Sequence, residues 1–412
     1  MILISITAAV LFVAIVVVKL FKHNRAVDQN PVPVPEPAPS CNIPVDSSVK
    51  IQFVLKRREA PYEGEKEAEG QYSSGVLHSG LFNSASFMNK MLTDAGYQSE
   101  IVHVIDNSFI DREVTRYRPN IVIIEAFWVV PEKFDVLVKL HKNVKFVIRN
   151  HSKTPFLANE GIAFDWAMRY SNTPNVYVSS NSLDTNEEMA ALFASMHGDW
   201  TKNEAKDRCP YLPNYYPLNF HPEKHDAREI VDGVVNIGCF GAIRPLKNQM
   251  IQAIAAIKFA EQNGLTLKFH INGNRIEGNG NNVLKNMRNL FKHLPHELVE
   301  NAWMPHHEFI EFVATMDMGM QVSYTETFNI VAADMISQGV PVVTSKEIDW
   351  VDPKFHADPN NCDDIVRVLQ SIYDDAYVIP SEEYLEPTLK NIIKYDTDTL
   401  IAWKKMIERL KR

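Results

Sequence analysis

Short apolar runs alternate with amphipathic segments along the chain from Val49 onward. The runs are rich in Val, Ile and Phe, which is typical of strands that are buried on both faces of a sheet. They predict a first series of strands at Lys50–Leu55, Glu100–Val104, Ile121–Glu125, Lys145–Arg149 and Asn175–Ser179. A second series is predicted at Val234–Cys239, Thr266–Ile271, Gly319–Ser323 and Val340–Thr344.

Segments with helical spacing of apolar residues separate these strands. In the first series they are Leu81–Ala95, Pro131–Leu140, Asn159–Met168 and Asn186–Ala194. In the second series they are Asn248–Gln262, Asn282–Lys292, His306–Thr315, Phe328–Ser337 and Cys362–Tyr373. Regular alternation of strands and helices predicts right-handed β-α-β units and parallel sheets.

A proline-rich stretch, Cys209–Pro222 (CPYLPNYYPLNFHP), separates the two series and indicates a linker. We therefore predict an α/β protein with two doubly wound, Rossmann-like domains that face a cleft. The predicted domains cover residues 49–211 and 233–395, with a hinge at 212–232 between them. The last segment, 396–412, is a predicted helix whose apolar stripe must pack on another surface and can reach back across the hinge.

The first eighteen residues, Met1–Val18, carry no charged side chain, and Lys19, Lys22 and Arg25 follow them. A run of this length is just sufficient for a transmembrane helix, and flanking basic residues mark its cytoplasmic end. We predict a single-pass anchor over residues 1–20 that leaves the rest of the chain on the cytoplasmic side. A cleaved signal peptide and a buried helix are the alternatives. Residues 21–48, which include PVPVPEPAP, form a predicted Pro-rich linker.

Charge and cysteine content limit the function classes. The 412-residue chain has a formal net charge of −9, which argues against a nucleic-acid partner because such proteins usually present a basic face. Its four cysteines are far apart and form no Cys-x-x-Cys pair. This pattern indicates neither a disulfide framework nor a zinc site, and it suits a reducing compartment.

The stretch from Ser323 to Val343, SYTETFNIVAADMISQGVPVV, carries the strongest chemical signal. Glu326 follows a predicted strand and precedes a predicted helix, whose free N–H groups and partial positive charge suit a phosphate. Asp334 comes eight residues later on that helix. The non-functional alternative is that Glu326 is a surface turn residue and that Asp334 is a solvated helix residue.

This segment resembles the Glu-x7-Glu motif of retaining glycosyltransferases of the GT-B fold, especially family four. Glu326, Phe328, Asp334, Gly339, Pro341, Val342 and Val343 fit the pattern. Two positions depart from it, because Asn329 replaces a glycine and Asp334 replaces a glutamate. The resemblance implies that Glu326 contacts the donor sugar, that Asp334 binds the ribose hydroxyls, and that Phe328 and Asn329 belong to the donor site. An asparagine can adopt left-handed backbone dihedrals or cap the helix.

The loop GCFGAIRPLKN follows the first strand of the second series and carries Arg244 and Lys247. It resembles the Gly-Arg-x4-Lys loop that binds the donor diphosphate in this family, although the arginine is displaced here. Fixed cations suit a departing nucleoside diphosphate, whose negative charge grows during transfer. A solvated pair of loop charges is the alternative.

Three further residues are candidates from their places at strand ends or in glycine-containing loops. His151 follows the strand VKFVIR, and similar enzymes carry a histidine near the donor sugar at this point, although a lone histidine is often structural. Gly75 lies in SSGVLHSGLFNS, a loop that lets backbone N–H groups approach a ligand. Gly273 follows another strand, where the family usually has Gly-x-Gly, and is expected to shape the nucleotide pocket.

The resemblance implies transfer of a sugar from a nucleotide-sugar donor to an acceptor hydroxyl with retention of anomeric configuration. No Asp-x-Asp motif occurs in a strand-end loop, so we expect no metal or other cofactor. The acceptor is expected to be a glycan, a lipid-linked sugar or another hydroxyl compound. A nucleotide-sugar epimerase or a phosphorylase of the same fold is one alternative, and a non-catalytic, membrane-anchored sugar-nucleotide-binding protein is another.

Overall fold

The computed structural model describes residues 43–57, 80–220, 230–376 and 378–411, which belong to one compact unit, Asn42–Arg412. The predicted anchor over residues 1–20 and most of the linker lie outside the described residues, as does Gly75. No helix within the described ranges has both the length and the apolar character needed to cross a bilayer.

The N-terminal lobe is built on a five-stranded parallel sheet. Its strands are β1 (Lys50–Lys56), β2 (Gln98–Val104), β3 (Ile121–Glu125), β4 (Lys145–Asn150) and β5 (Val176–Ser180). Their order in the sheet is β2-β1-β3-β4-β5. Its helices are α1 (Gly80–Asp94), α2 (Ile110–Tyr117), α3 (Pro131–Leu140), α4 (Thr154–Leu157), α5 (Ala163–Ser171), α6 (Leu183–Met196) and α7 (Lys202–Arg208).

The C-terminal lobe repeats this architecture with a second five-stranded parallel sheet. Its strands are β6 (Val234–Gly238), β7 (Thr266–Ile271), β8 (Glu297–Glu300), β9 (Met318–Gln321) and β10 (Val342–Thr344). Their order is β10-β9-β6-β7-β8. Its helices are α8 (Gln249–Gln262), α9 (Gly280–Phe291), α10 (His306–Val313), α11 (Ile330–Ser337), α12 (Cys362–Ala376) and α13 (Ser381–Leu410).

The central strands β3 and β4 are buried on both faces of the sheet, which explains their nearly continuous apolar sequences. In β1, Val54 packs into one core cluster, while Phe53 and Leu55 point to the opposite face and pack into another. The strand order reverses between β1 and β3 in the N-terminal lobe and between β6 and β9 in the C-terminal lobe. Ligands of doubly wound sheets bind beyond the carboxyl ends of the strands at such switch points.

The last helix, α13, connects the two lobes. Its beginning packs into the C-terminal core through Tyr384, Leu385, Leu389 and Ile392. Its end packs into the N-terminal core through Trp403, Met406, Ile407 and Leu410. The Trp403 indole N–H also donates to the carbonyl of Pro213 in the hinge, 3.1 Å away. The apolar stripe predicted near the C-terminus therefore does reach back across the hinge.

Several element boundaries differ from those that the sequence predicts. The last helix begins at Ser381 rather than near Thr397, and it continues through Pro387. The predicted helix Asn159–Met168 is displaced to α5, because Thr154–Leu157 forms a separate short helix before it. Strand β8 was not predicted, since its four residues ELVE offer no apolar run.

Candidate active site

A cavity of about 930 Å³ lies between the two lobes at the carboxyl ends of their strands. Charged, amide and aromatic side chains from both lobes line it. The N-terminal lobe contributes Lys56, His103, Glu125, Trp128, Asn150, His151 and Phe156. The C-terminal lobe contributes Arg244, Lys247, Arg275, Trp303, Glu326, Thr327 and Asn329. The cavity is the cleft that two facing doubly wound domains are expected to form.

Glu326 and Lys247 form an ion pair on the C-terminal wall of this cavity. Glu326 comes from the loop after β9 and Lys247 from the loop after β6, so the pair spans the switch point of the sheet. Burial raises the pKa of Glu326, but the charges of Lys247 and Arg244 outweigh this effect and hold that pKa below its ordinary value. Glu326 is therefore a carboxylate at neutral pH, available to accept hydrogen bonds.

Asn329 orders the start of helix α11 beside this pair. Its backbone is left-handed, with φ of 59°, and its side-chain oxygen accepts a hydrogen bond from the Ala332 N–H at 2.9 Å. The side-chain amide of Asn329 lies 3.3 Å from Glu326 Oε2. Asn329 thus both adopts the left-handed conformation and caps the helix, which explains why α11 starts at Ile330 rather than at Phe328.

Arg244 lies where the two lobes meet. Its guanidinium is 4.4 Å from the centroid of the Phe156 ring, which belongs to α4 of the N-terminal lobe. Its Nη1 atom is 3.3 Å from Glu277 Oε2. These two contacts hold the guanidinium at the cavity, where its positive charge suits an anion.

The N-terminal wall contains a buried acid, Glu125, that is not among the predicted site residues. Glu125 ends strand β3 and pairs with Arg149 of the neighbouring strand β4, with Arg149 Nη1 3.1 Å from Glu125 Oε1. The His151 ring contacts the other carboxylate oxygen through Nε2. Burial raises the pKa of Glu125, but Arg149 and His151 hold it below its ordinary value. A charged residue at the end of the apolar strand IVIIE was the signal that could have identified Glu125.

The surroundings fix the protonation state of His151. Burial and the charge of Arg149 lower the pKa of His151, and the nearby Glu125 carboxylate offsets them only in part. The ring is therefore neutral at neutral pH. An ionised carboxylate can only accept, so the His151 proton lies on Nε2 and Nδ1 is left as a hydrogen-bond acceptor.

Arg275 and Trp303 make a cation–π contact at another point of the C-terminal wall. The Arg275 guanidinium lies 4.5 Å from the centroid of the Trp303 ring and is held by Glu277, 2.9 Å away. Both side chains line the cavity. A stacked pair of this kind can pack against a planar ligand.

Three of the predicted donor-site residues lie outside the lining of the cavity. Asp334 is buried in α11, where its Oδ1 atom accepts from the Tyr216 hydroxyl at 2.9 Å and is 2.8 Å from His306 Nε2. Phe328 packs in the core, where its ring stacks on Trp350.

Gly273 is the third, and it is required by close packing. A Cβ at Gly273 would lie 2.9 Å from the Cβ of Glu300, closer than side chains tolerate. The preceding residue, Asn272, accepts a hydrogen bond from the Gly241 N–H at 2.8 Å. Gly241 belongs to the loop after β6 and lines the cavity. The loop that carries Gly273 therefore contacts the cavity lining through Asn272 and does not line the cavity at Gly273 itself.

Among the described residues, no group of three or more His, Cys, Asp and Glu side chains is arranged to hold a metal ion. The described cysteines Cys209, Cys239 and Cys362 are free thiols.

No protein-family model matches the chain, and no curated protein sequence matches it significantly. Solved structures do share its fold. The N-terminal domain of Candida albicans trehalose-6-phosphate phosphatase has a TM-score of 0.58 at 10% identity, covering 89% of this chain and 97% of that one. The apo structure of OtsA gives 0.56 at 13%, covering 88% and 99%. An alpha-glucosyltransferase in complex with UDP and a 13-mer DNA gives 0.55 at 11%, covering 88% and 99%. The chain thus has the GT-B fold.

Proposed function

We propose that this protein is a glycosyltransferase that moves a sugar from a nucleotide-sugar donor to an acceptor hydroxyl with retention of anomeric configuration. The observation that carries the proposal is the Glu326–Lys247 pair, placed with Arg244 at the switch point of the C-terminal sheet and facing His151 across the cavity. A structural neighbour of the same fold, an alpha-glucosyltransferase, was solved with UDP, which supports a nucleotide diphosphate as the leaving group.

The C-terminal wall holds the donor in this proposal. Arg244, Lys247 and the N-terminus of α11 stabilise the diphosphate, because each presents N–H donors or positive charge toward the cavity. The stacked pair Arg275 and Trp303 packs against the nucleobase. Lysine has three N–H donors, so Lys247 can keep its contact with Glu326 while it binds a phosphate oxygen.

The reacting sugar lies between the two lobes, with Glu326 accepting hydrogen bonds from its hydroxyls and His151 Nδ1 accepting from the opposite side. The bond between the anomeric carbon and the phosphate oxygen breaks, and the diphosphate leaves with the electron pair. The acceptor oxygen bonds to the same face of the sugar, and its proton passes to the departing diphosphate. Preorganised charges at the diphosphate supply the main stabilisation of this step. No metal or other cofactor is assigned a role.

The acceptor side of the cavity is formed by the N-terminal lobe, where Trp128, Phe156 and Lys56 contribute to the lining. We propose a glycan or a lipid-linked sugar as the acceptor. The lipid-linked option rests on the anchor that the sequence predicts over residues 1–20, with the catalytic body on the cytoplasmic side. Fractionation of cells that express the full chain, with an alkaline carbonate wash, tests whether the chain is an integral membrane protein.

The proposed activity is tested with a panel of UDP-, GDP- and ADP-sugars. Each donor is incubated with the full chain, with and without extracted membrane glycolipids and glycans, and nucleoside diphosphate and products are measured. We expect diphosphate release that depends on both one donor and an acceptor. Conversion of a donor without an acceptor indicates an epimerase, and phosphate-dependent sugar release indicates a phosphorylase. Donor binding without any turnover would show a binding protein and overturn the proposal.

A further inference from the structure

Thr327 joins the catalytic loop of the C-terminal lobe to the N-terminal lobe. It directly follows Glu326, and both residues line the cavity. The Thr327 hydroxyl donates to the backbone carbonyl of His151 at 3.1 Å. The same hydroxyl oxygen accepts from the side-chain amide of Asn181 at 3.1 Å. Both partners belong to the N-terminal lobe, so one hydroxyl makes two hydrogen bonds across the cleft.

A second path of hydrogen bonds leads from Thr327 to the His151 ring. The Asn181 amide also donates to Asn214 Oδ1 at 3.2 Å, so its two N–H groups serve Thr327 and Asn214. Asn214 Oδ1 accepts from Arg149 Nη2 at 2.7 Å, and Arg149 in turn pairs with the glutamate that holds His151. Asn181, Asn214 and Arg149 are all buried. These buried hydrogen bonds link Thr327 to the side chains that hold the His151 ring.

We propose that Thr327 is a positioning residue that sets Glu326 against His151 when the two lobes are closed on the donor. This inference rests on the proposed function, since it assigns Glu326 and His151 to opposite sides of the reacting sugar. Thr327 is one residue from Glu326, and its bonds fix both the main chain and, through Asn181, the ring of His151. The separation of the two groups is therefore set by a direct contact between their supporting segments.

Other cross-lobe contacts close the cleft without involving the loop that carries Glu326. Lys153 of the N-terminal lobe pairs with Glu347 at 2.9 Å, and Glu347 lies in the loop after β10. This ion pair provides a matched control. Loss of this ion pair should weaken the association of the two lobes. Loss of the Thr327 hydroxyl should also change the position of Glu326 relative to His151.

The test compares Thr327→Val, which keeps the shape of the side chain but removes the hydroxyl, with Thr327→Ser, which keeps the hydroxyl. For the full chain and its best donor, we expect Thr327→Val to lower kcat about tenfold, as the loss of a partly buried hydrogen-bonding group in the transition state would. Thr327→Ser should retain kcat within about twofold to threefold.

The Kd for UDP should stay within about twofold in both variants, because the diphosphate contacts lie in the C-terminal lobe. Glu347→Gln should lower kcat less than Thr327→Val does. Equal kcat values for the Val and Ser variants, or an equal loss in Glu347→Gln, would overturn the proposal.

A second measurement does not depend on turnover. Amide hydrogen exchange is followed with UDP present in segments 149–152 and 324–329. We expect faster exchange in both segments for Thr327→Val and wild-type rates for Thr327→Ser. Unchanged exchange at 149–152 in the Val variant would contradict the cross-lobe coupling itself. Absence of turnover by the wild-type chain with every donor would instead contradict the proposed function, so the two failures are distinguishable.

Discussion

Both walls of the cleft contain a glutamate paired with a basic side chain, but the two pairs differ in exposure. Each lobe places a glutamate at or after the end of a buried strand and pairs it with a cation from the neighbouring strand or loop. In the N-terminal lobe, the side chains of Glu125 and Arg149 are 1% and 0% exposed. In the C-terminal lobe, Glu326 and Lys247 are each 11% exposed and border the cavity.

This difference in exposure indicates different roles for the two pairs. The buried pair supports a neighbouring side chain, and the more exposed pair can contact a ligand. The Glu125–Arg149 pair is almost fully buried at the edge of the cavity, so we expect it to act on a ligand mainly by holding the His151 ring. The Glu326–Lys247 pair can exchange part of its hydrogen bonding for a bound donor. Burial also sets the cost of disruption, because an uncompensated buried charge is far more costly than one that water can reach. The same substitution should therefore mainly lower activity in the C-terminal lobe and mainly lower stability in the N-terminal lobe.

The largest effect is expected on catalysis in the C-terminal lobe. Glu326→Gln keeps the size of the side chain but removes its charge, so kcat/KM should fall by roughly 10²–10³-fold, comparable to the loss of a preorganised polar group in other active sites. The melting temperature should change little, because Lys247 borders the cavity and can be solvated. Steady-state kinetics and calorimetry of the same preparation check both parts. Full turnover by this variant would remove Glu326 from the proposed mechanism.

The same substitution in the N-terminal lobe should act on stability. Glu125→Gln leaves the Arg149 guanidinium buried without its counter-charge, and we expect a loss of about 3 kcal/mol in the free energy of unfolding. Denaturant titration measures this loss, and Glu326→Gln is the control of equal chemistry. A Glu125→Gln variant as stable as the wild type would show that the two walls do not differ in the way that their exposure indicates.

A smaller effect is expected at Asp334, which the family resemblance assigns to the ribose. Asp334→Asn keeps an acceptor oxygen for Tyr216 and removes the charge that faces His306, so the free energy of unfolding should fall by about 1–2 kcal/mol. Titration calorimetry with UDP tests the role in binding. A UDP Kd that rises at least about fivefold supports the ribose role, and an unchanged Kd would limit Asp334 to packing against the hinge.

The smallest effect is a dependence of stability on pH. Burial lowers the pKa of His306, but the hydrogen bond and charge of Asp334 outweigh it and raise that pKa overall. A raised folded-state pKa stabilises the fold fully below the unfolded value of about 6.5, and this contribution is lost as pH rises through the folded value. The difference in melting temperature between the wild type and His306→Gln should therefore be largest near pH 6 and shrink toward pH 8.5. A difference that grows with pH would contradict this assignment.

The sequence predicts most of the fold because central strands such as β3 and β4 are buried on both faces of the sheet. The apolar sequence IVIIE of strand β3 is typical of a strand at the centre of a buried sheet. The alternation of such strands with helices then predicts two parallel sheets. The long helix α13 was only half predicted, since Pro387 normally marks the end of a helix. In α13 the packing of both ends into separate cores outweighs that local preference.

The candidate site was predicted where its residues follow strands of one sheet. Strand ends meet at one edge, so the loop positions of Glu326, Lys247 and Arg244 already predict their convergence. The contacts between the lobes could not be predicted in this way. The hydrogen bonds of Thr327 and the stacking of Phe156 on Arg244 depend on how two separately folded sheets face each other, which no local pattern encodes.

The path of helix α13 has a consequence for the order in which the chain can mature. Domains usually fold one after another as they leave the ribosome. Here the N-terminal core includes Leu410 and Trp403, and the ring that Trp403 contacts, Phe53, is synthesised about 350 residues earlier. The surface that they cover stays open while the entire C-terminal lobe is being made. Nascent chains stalled before position 400 should therefore bind chaperones through this uncovered face, and release of the chain should end that binding.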